Sequence, residues 1–344
     1  MARRFSLTMI LGAALLFAST IVANVVFDPE FVFGTNLFPK TLNWNERVGK
    51  LEAYQRDAPA VDALLFSSSR GNLLDRNLLA KDMSASHLLS LSVSLGMMTD
   101  HLPILEYILR DKAARGQHLK AVMLLLDPDI FGKPPWTNSN INSFLPPELS
   151  GESPVRYWWR YLTVFQYRLW RDVWRSSRAQ AKPVNPAERP EGASTPKDNA
   201  VVTEPIPAAA RAPIPAISED YRRAWNSVRP DLERQIAVLR RFVALCRENN
   251  VKLTVAVSPL IDQNLNWHEP GMIDAMIARL ATVVPLWDFN SPPLIANRHE
   301  YWLDFSHFDA ASGTMMINRM FGVSNPPPFA DFGRLRGAEN SKAN

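Results

Sequence analysis

Five short runs rich in valine and leucine recur along this chain: Val61–Phe66, His87–Leu91, Leu119–Leu126, Lys252–Val257 and Val283–Phe289. None alternates cleanly between apolar and polar residues. A strand with one wet face must alternate, so these runs suit strands covered on both faces, as in a parallel sheet. The segments between them carry apolar residues at helical spacing. In "DLERQIAVLRRFVALCRENN", Ile236, Leu239, Phe242, Val243 and Cys246 fall on one face. "MTDHLPILEYILRDKAARG" reads as helical after Pro103, and "GMIDAMIARLA" as a further helix. Strands alternating with helices predict an α/β domain over residues 61–325, doubly wound around about five parallel strands.

The N-terminus adds a second constraint. Arg3 and Arg4 precede the uncharged run Phe5–Phe27. A helix that crosses a bilayer needs roughly 20 apolar residues, whereas the apolar region of a signal peptide spans about 7–15. The run therefore reads as a transmembrane signal-anchor behind a cytoplasmic stub of residues 1–4. Two alternatives stay open: a cleaved signal, with small residues near Ala18 and Ala23, and a buried helix of a soluble domain. Arginines held in the cytoplasm would send everything after Phe27 outward. That implies a single-pass protein of the cytoplasmic membrane, its domain facing the periplasm or the exterior. Residues 28–60 read as a juxtamembrane connection that leads into a helix near Glu46–Arg56.

Two segments interrupt the pattern. Residues 156–178 fit one amphipathic helix, with Trp158, Leu162, Phe165, Leu169 and Val173 on one face and Arg156, Arg160, Arg168, Arg171 and Arg175 on another. Either it packs on the domain with a solvated arginine face, or it lies on an anionic membrane surface. Residues 179–217, rich in Pro and Ala, read as a disordered insertion, and residues 326–344 as a disordered tail.

Composition removes several classes of function. Lys+Arg is 38 and Asp+Glu is 34, a net charge of +4, with no basic tract interleaved with aromatics. Nucleic acid is not expected as a partner. The single cysteine, Cys246, allows no intrachain disulfide. The histidines are scattered and no HExxH, HxH or CxxC occurs, so neither a metal nor a cofactor is expected.

In an open parallel sheet, ligands bind outside the carboxyl ends of the strands. Ser67, Ser68, Ser69 and Arg70 follow the first strand. Ser92, Ser94 and Gly96 follow the second, and Asp127-Pro128-Asp129 follows the third. Ser258 follows the fourth, and "YWLDFSHFDAASG" lies beyond the fifth, with Asp304, His307 and a helix N-cap candidate in Asp309 ahead of Ala310–Met320. Taken singly, each is ordinary: a serine cluster caps a turn, Asp-x-x-His arises by chance, and glycine permits a tight bend. Gathered at one sheet edge, they are the parts of serine nucleophile chemistry. A histidine removes the hydroxyl proton, a carboxylate fixes its tautomer, and backbone N–H groups at a serine turn or a glycine hold the oxyanion.

"FSSSRG", "LSVSLG" and "DFSHF" together resemble the sequence blocks of the SGNH (GDSL-type) hydrolases. "LLLDPDIFG" resembles the third-strand segment of the membrane-anchored branch of that superfamily, which includes the D-alanyl transfer protein of teichoic acids and exopolysaccharide acetylation proteins. The likeness covers residues 45–130 and 230–322. It implies a flavodoxin-like sheet, Ser69 as nucleophile, His307 as base, Asp304 as its orienting carboxylate and the Gly96 N–H as an oxyanion donor. Ser94, Arg70 and Asp127 are the remaining substrate-side candidates. For Arg70 the choice is between holding a substrate carboxylate or phosphate and a salt bridge to Asp127 or Asp129. Ser67 stands where the family has glycine, which crowds the nucleophile turn. The family's Gly-x-Asn-Asp block is absent, and Asp127 and Asp129 occupy that neighbourhood. The implied function is a serine acyltransferase or esterase acting on O-acyl groups of envelope polysaccharide. Its partners would be that polysaccharide or an acyl donor, together with a multi-span membrane acyltransferase. Two readings compete with it: a catalytically degenerate glycan-binding or scaffold protein, and a simple secreted esterase.

Overall fold

The computed structural model describes residues 2–29, 32–35, 37–38, 46–131, 146–180, 214, 231–325 and 328–337. In chain order the elements are α1 (Ala2–Phe27), α2 (Glu46–Asp57), β1 (Ala63–Phe66), α3 (Arg76–Asp82), β2 (Leu88–Ser90), α4 (Met98–Ala114) and β3 (Ala121–Leu126). There follow α5 (Pro147–Ser150), α6 (Pro154–Thr163), α7 (Tyr167–Gln180), α8 (Leu232–Glu248), β4 (Lys252–Val257) and α9 (Asp262–Leu265). The last are α10 (Met272–Ala281), β5 (Leu286–Asp288), α11 (Ala310–Met320) and β6 (Arg334–Arg336). The chain forms two compact units, one of Met1–Ala53 and Thr137–Asp198, the other of Tyr54–Trp136 and Asn199–Asn344.

The second unit is α/β. Its sheet has the order β2-β1-β3-β4-β5-β6, with the first five strands parallel and β6 antiparallel to β5. An order of 2-1-3-4-5 is that of a doubly wound sheet. β1 and β3 are buried along their whole length, which is why neither alternates in sequence. Ala63, Leu65, Met123 and Leu125 face one core, with Leu79 of α3 and Met316 and Ile317 of α11. Phe66 packs edge-on against Phe242 of α8, ring centroids 5.4 Å apart, and α8 packs on α4.

Three expectations need correction. Residues 334–336 are not tail but a sixth strand. Arg-Leu-Arg has no apolar signature; the pairing is held by Arg336, whose Nε lies 2.7 Å from the buried Asp288, and by the buried Phe329 and Phe332 just before it. Helix α4 starts at Met98 rather than after Pro103. The Asp100 carboxylate accepts the Met97 N–H, so the start is capped well before the proline. Residues 156–178 form two helices, not one, for a reason that lies in the first unit.

There, Thr20, Asn24 and Asp28 are buried at four-residue spacing along the end of α1. Asn24 Nδ2 donates to the carbonyls of Leu162 and Val164, both at 2.9 Å, and Trp170 Nε1 donates to Asn24 Oδ1 at 2.8 Å. A continuous helix would use those carbonyls for its own ladder. Asn24 takes them instead, and the chain turns at Val164, which has extended backbone. Of the segment read as a disordered insertion, residues 179 and 180 complete α7; residues 181–213 and 215–217 lie outside the described residues.

Candidate active site

With β1 flanked by β2 on one side and β3 on the other, the crevice at the carboxyl ends of β1 and β3 is the topological switch point of the sheet. The serine turn leaves β1 there and Asp127 leaves β3. Ser68 caps a short 3-10 helix over Ser69–Leu73, its hydroxyl accepting the Arg70 N–H at 3.2 Å. The same hydroxyl donates to Asp127 Oδ2, and Ser258 Oγ donates to Asp127 Oδ1 at 2.7 Å. Asp127 thus ties the ends of β1, β3 and β4 together.

Ser69 is the first residue of that 3-10 helix and is half-buried. Its Oγ lies 2.8 Å from His307 Nε2. His307 Nδ1 lies 2.8 Å from Asp304 Oδ2 and 3.0 Å from Oδ1. A carboxylate at Nδ1 favours the proton there, leaving the Nε2 lone pair toward the hydroxyl. Asp304 Oδ1 also accepts the amides of Ser306 at 2.7 Å and His307 at 2.8 Å. Burial alone would raise the Asp304 carboxyl, but the His307 ring and these amides outweigh it and hold it below the usual aspartate value. Leu303 N–H donates to His307 O at 2.8 Å, and Trp302 bridges Phe308, so the histidine sits on a closed loop. Asp309 caps α11 immediately afterwards by accepting the Ser312 N–H.

Arg70 is held within the protein. It is 1% exposed, and every guanidinium donor is engaged within the protein. NH1 and NH2 form a fork on Asp129 at 2.7 and 2.9 Å. Nε donates to Ser306 O at 2.6 Å, NH2 to Ser306 Oγ at 3.1 Å and NH1 to Ser258 Oγ at 3.3 Å. NH1 also lies 3.3 Å from Asp127 Oδ1. Burial by itself would lower the guanidinium pKa; Asp127 and Asp129 reverse that and raise it. Burial by itself would raise Asp129, and Arg70 brings it down. Of the two sequence readings of Arg70, the structure carries the salt bridge. Asp127, likewise buried, accepts two serine hydroxyls and ties strand ends together.

The Gly96 N–H donates to Val93 O at 2.9 Å. What requires a glycine there is space: a Cβ would lie 2.8 Å from Ser67 O and 2.9 Å from the His101 ring. Ser94 is half-buried on the same turn, which Leu95 completes with φ of 51°. The crowding expected from Ser67 is real and is relieved by Gly71. A Cβ on Gly71 would lie 2.5 Å from Ser67 Cβ and 2.4 Å from Ser92 Oγ. The amide of Ser69, first in the 3-10 helix, is of the kind a helix leaves without an intrahelical acceptor.

Sequence reasoning placed Ser258 at the end of the fourth strand without giving it a role, and did not single out Ser306 or Asn264. Asn264 Nδ2 donates to Phe305 O at 3.0 Å and holds the histidine loop from α9. Only the pairing of a buried cation with two aspartates two residues apart could have pointed toward Ser306. Among the described residues, no group of His, Cys, Asp and Glu is spaced to hold a metal ion. No family model and no curated protein matches this sequence.

Proposed function

We propose that the second unit is a serine-dependent acyl-transfer domain acting on O-acyl groups of cell-envelope polysaccharide. The observation that carries this is the Ser69–His307–Asp304 chain, with 2.8 Å at both of its links. Ser69 Oγ attacks the acyl carbonyl while His307 Nε2 takes its proton and Asp304 stabilises the imidazolium. The tetrahedral oxyanion faces the Ser69 N–H. Collapse returns the proton to the leaving alcohol and leaves an ester on Ser69. A glycan hydroxyl, deprotonated by His307, then attacks that ester and frees Ser69; water does the same in hydrolysis.

With the Gly96 N–H engaged by Val93 and no asparagine at the family position, oxyanion stabilisation is thin. Loss of one such donor lowers rate on the order of 10²–10³-fold. Slow transfer from a dedicated donor suits this site better than rapid hydrolysis, and a multi-span membrane acyltransferase is the partner that would bring acyl groups across the membrane. The same observation favours, as a second reading, a domain that binds glycan without turnover.

Retention of α1 as an anchor is supported by Asn24. Cleavage after Ala18 or Ala23 would keep Asn24 but leave it on a truncated helix close to a new N-terminus, unseating the group that satisfies Leu162 O, Val164 O and the Trp170 indole. The residue run Thr8–Phe27 is long and apolar enough to cross a membrane, as an anchor or as a signal sequence.

The test is replacement of the chromosomal gene by Ser69→Ala, with ester content of the purified surface polysaccharide as readout. Loss of esters at unchanged protein level supports the catalytic reading. Unchanged esters, with loss only on deletion, would favour the binding reading.

A further inference from the structure

We infer that the α6–α7 hairpin is a membrane-interface element that seats in the headgroup layer around α1 and recognises anionic phospholipid. This rests on reading α1 as a retained transmembrane anchor. The hairpin belongs to the same compact unit as α1 and packs on its C-terminal part. Trp159 meets Phe17, ring centroids 6.2 Å apart. At 1.5 Å rise per residue, Phe17 lies about 15 Å before the end of α1. The hairpin therefore sits alongside the outer portion of the apolar run, not beyond it.

Its surface fits that position. On α6, Val155, Trp158, Trp159 and Leu162 share one stripe, while Tyr157 and Tyr161 are buried on another. Val155 is 72% exposed, Trp159 57% and Phe165 64%. A face this apolar, continuous with a helix that is itself exposed and apolar, matches the region where a bilayer begins. On α7, Arg168, Arg171, Arg175 and Arg178 form one stripe. Among the described residues, no carboxylate lies within ion-pair distance of Arg168, Arg175 or Arg178. Arg178, itself exposed, stacks 3.8 Å over Trp174. Tryptophan beside arginine is the composition that suits a headgroup layer with negative charge. Asn24 fixes the depth, because it bonds both helices to one point on α1.

The test uses the full-length chain with Cys246→Ala and single nitroxide-labelled cysteines at Leu15, Val155 or Arg175, in phosphatidylcholine vesicles with and without phosphatidylglycerol. Collisions with oxygen report hydrocarbon; collisions with a water-soluble nickel chelate report water. Leu15 and Val155 should be oxygen-dominated and Arg175 nickel-accessible. An aqueous Leu15 would overturn the anchor reading itself. Leu15 in hydrocarbon with Val155 as nickel-accessible as Arg175 would overturn the hairpin proposal alone and assign that face to a protein partner. As a label-free measure, tryptophan quenching by brominated lipid should fall in Trp158→Ala/Trp159→Ala; unchanged quenching would count against the proposal. For lipid choice, the wild type should retain several-fold more phosphatidylglycerol than phosphatidylcholine after extraction. R168Q/R171Q/R175Q/R178Q should lose that preference; equal retention by both proteins would overturn the anionic-lipid recognition.

Discussion

Arg70 Nε donates to the Ser306 carbonyl at 2.6 Å, and these two residues are the chain neighbours of Ser69 and His307. The guanidinium therefore sets the register between the nucleophile turn and the histidine loop, which come from distant parts of the chain. Arg70→Lys keeps the charge but loses the fork on Asp129 and cannot reach all of Ser306, Ser258 and Asp129 together. Arg70→Ala leaves Asp127 and Asp129 buried without their cation. Breaking a buried pair in this way destabilises by about 3–5 kcal/mol. Denaturant titration should show that loss for Arg70→Ala and a smaller one for Arg70→Lys. A change within about 0.5 kcal/mol for Arg70→Ala, the range of ordinary surface substitutions, would contradict the positioning role.

The buried Arg70–Asp129 pair also predicts a pH dependence. The folded Asp129 carboxyl lies below its ordinary value of about 3.9. Its contribution is complete above that value and is lost as pH falls through the lower folded value. The stability gap between wild type and Asp129→Asn should be widest near neutral pH and should narrow below about pH 4. A gap that stays constant through the acid range would show that the charge is not what holds the pair.

Gly313 gives a prediction whose sign opposes helix propensity. In an exposed helix, Gly→Ala stabilises by about 0.8–1.0 kcal/mol. Within α11, however, a Cβ on Gly313 would lie 2.4 Å from the Leu73 carbonyl oxygen, at the end of the nucleophile turn. Gly313→Ala should destabilise by about 1–3 kcal/mol, as overpacking does. Thermal unfolding decides it, and a raised Tm would mean that α11 shifts freely away from Leu73.

Asn24→Leu keeps α1 apolar and removes the partner of three polar groups. The α6–α7 hairpin should come away from α1, and trypsin should cut at Arg168–Arg178 in the membrane-bound protein much faster than in wild type. Equal cleavage rates would mean that the hairpin holds to α1 by apolar contact alone.

Much of the sheet was legible because burial on both faces writes itself into sequence. β1 to β5 all fall inside the valine- and leucine-rich runs, and α11 begins where Asp309 announces a cap. Ser69 was legible just after β1 for the same reason, whereas Asp304 and His307 lie on a loop well beyond β5 and were legible only by their Asp-x-x-His spacing. What stayed hidden depended on partners remote in sequence. β6 is polar and short and exists by pairing with β5. The break at Val164 is made by Asn24, more than a hundred residues earlier. The engagement of the Gly96 N–H by Val93 is a local turn whose geometry no residue type dictates. Arg70 could be read as a ligand group or a structural cation until Ser306 and Ser258 were seen to complete its shell.

The most direct test of the central claim is mass spectrometry of the full-length protein in detergent after exposure to p-nitrophenyl acetate. Wild type should carry one acetyl group on Ser69, and Ser69→Ala should carry none while folding normally. Release of p-nitrophenol above background should fall by about 10⁴-fold or more in that variant, or to the background rate if that is reached first. Absence of any adduct on Ser69, with equal p-nitrophenol release by wild type and Ser69→Ala, would contradict the account.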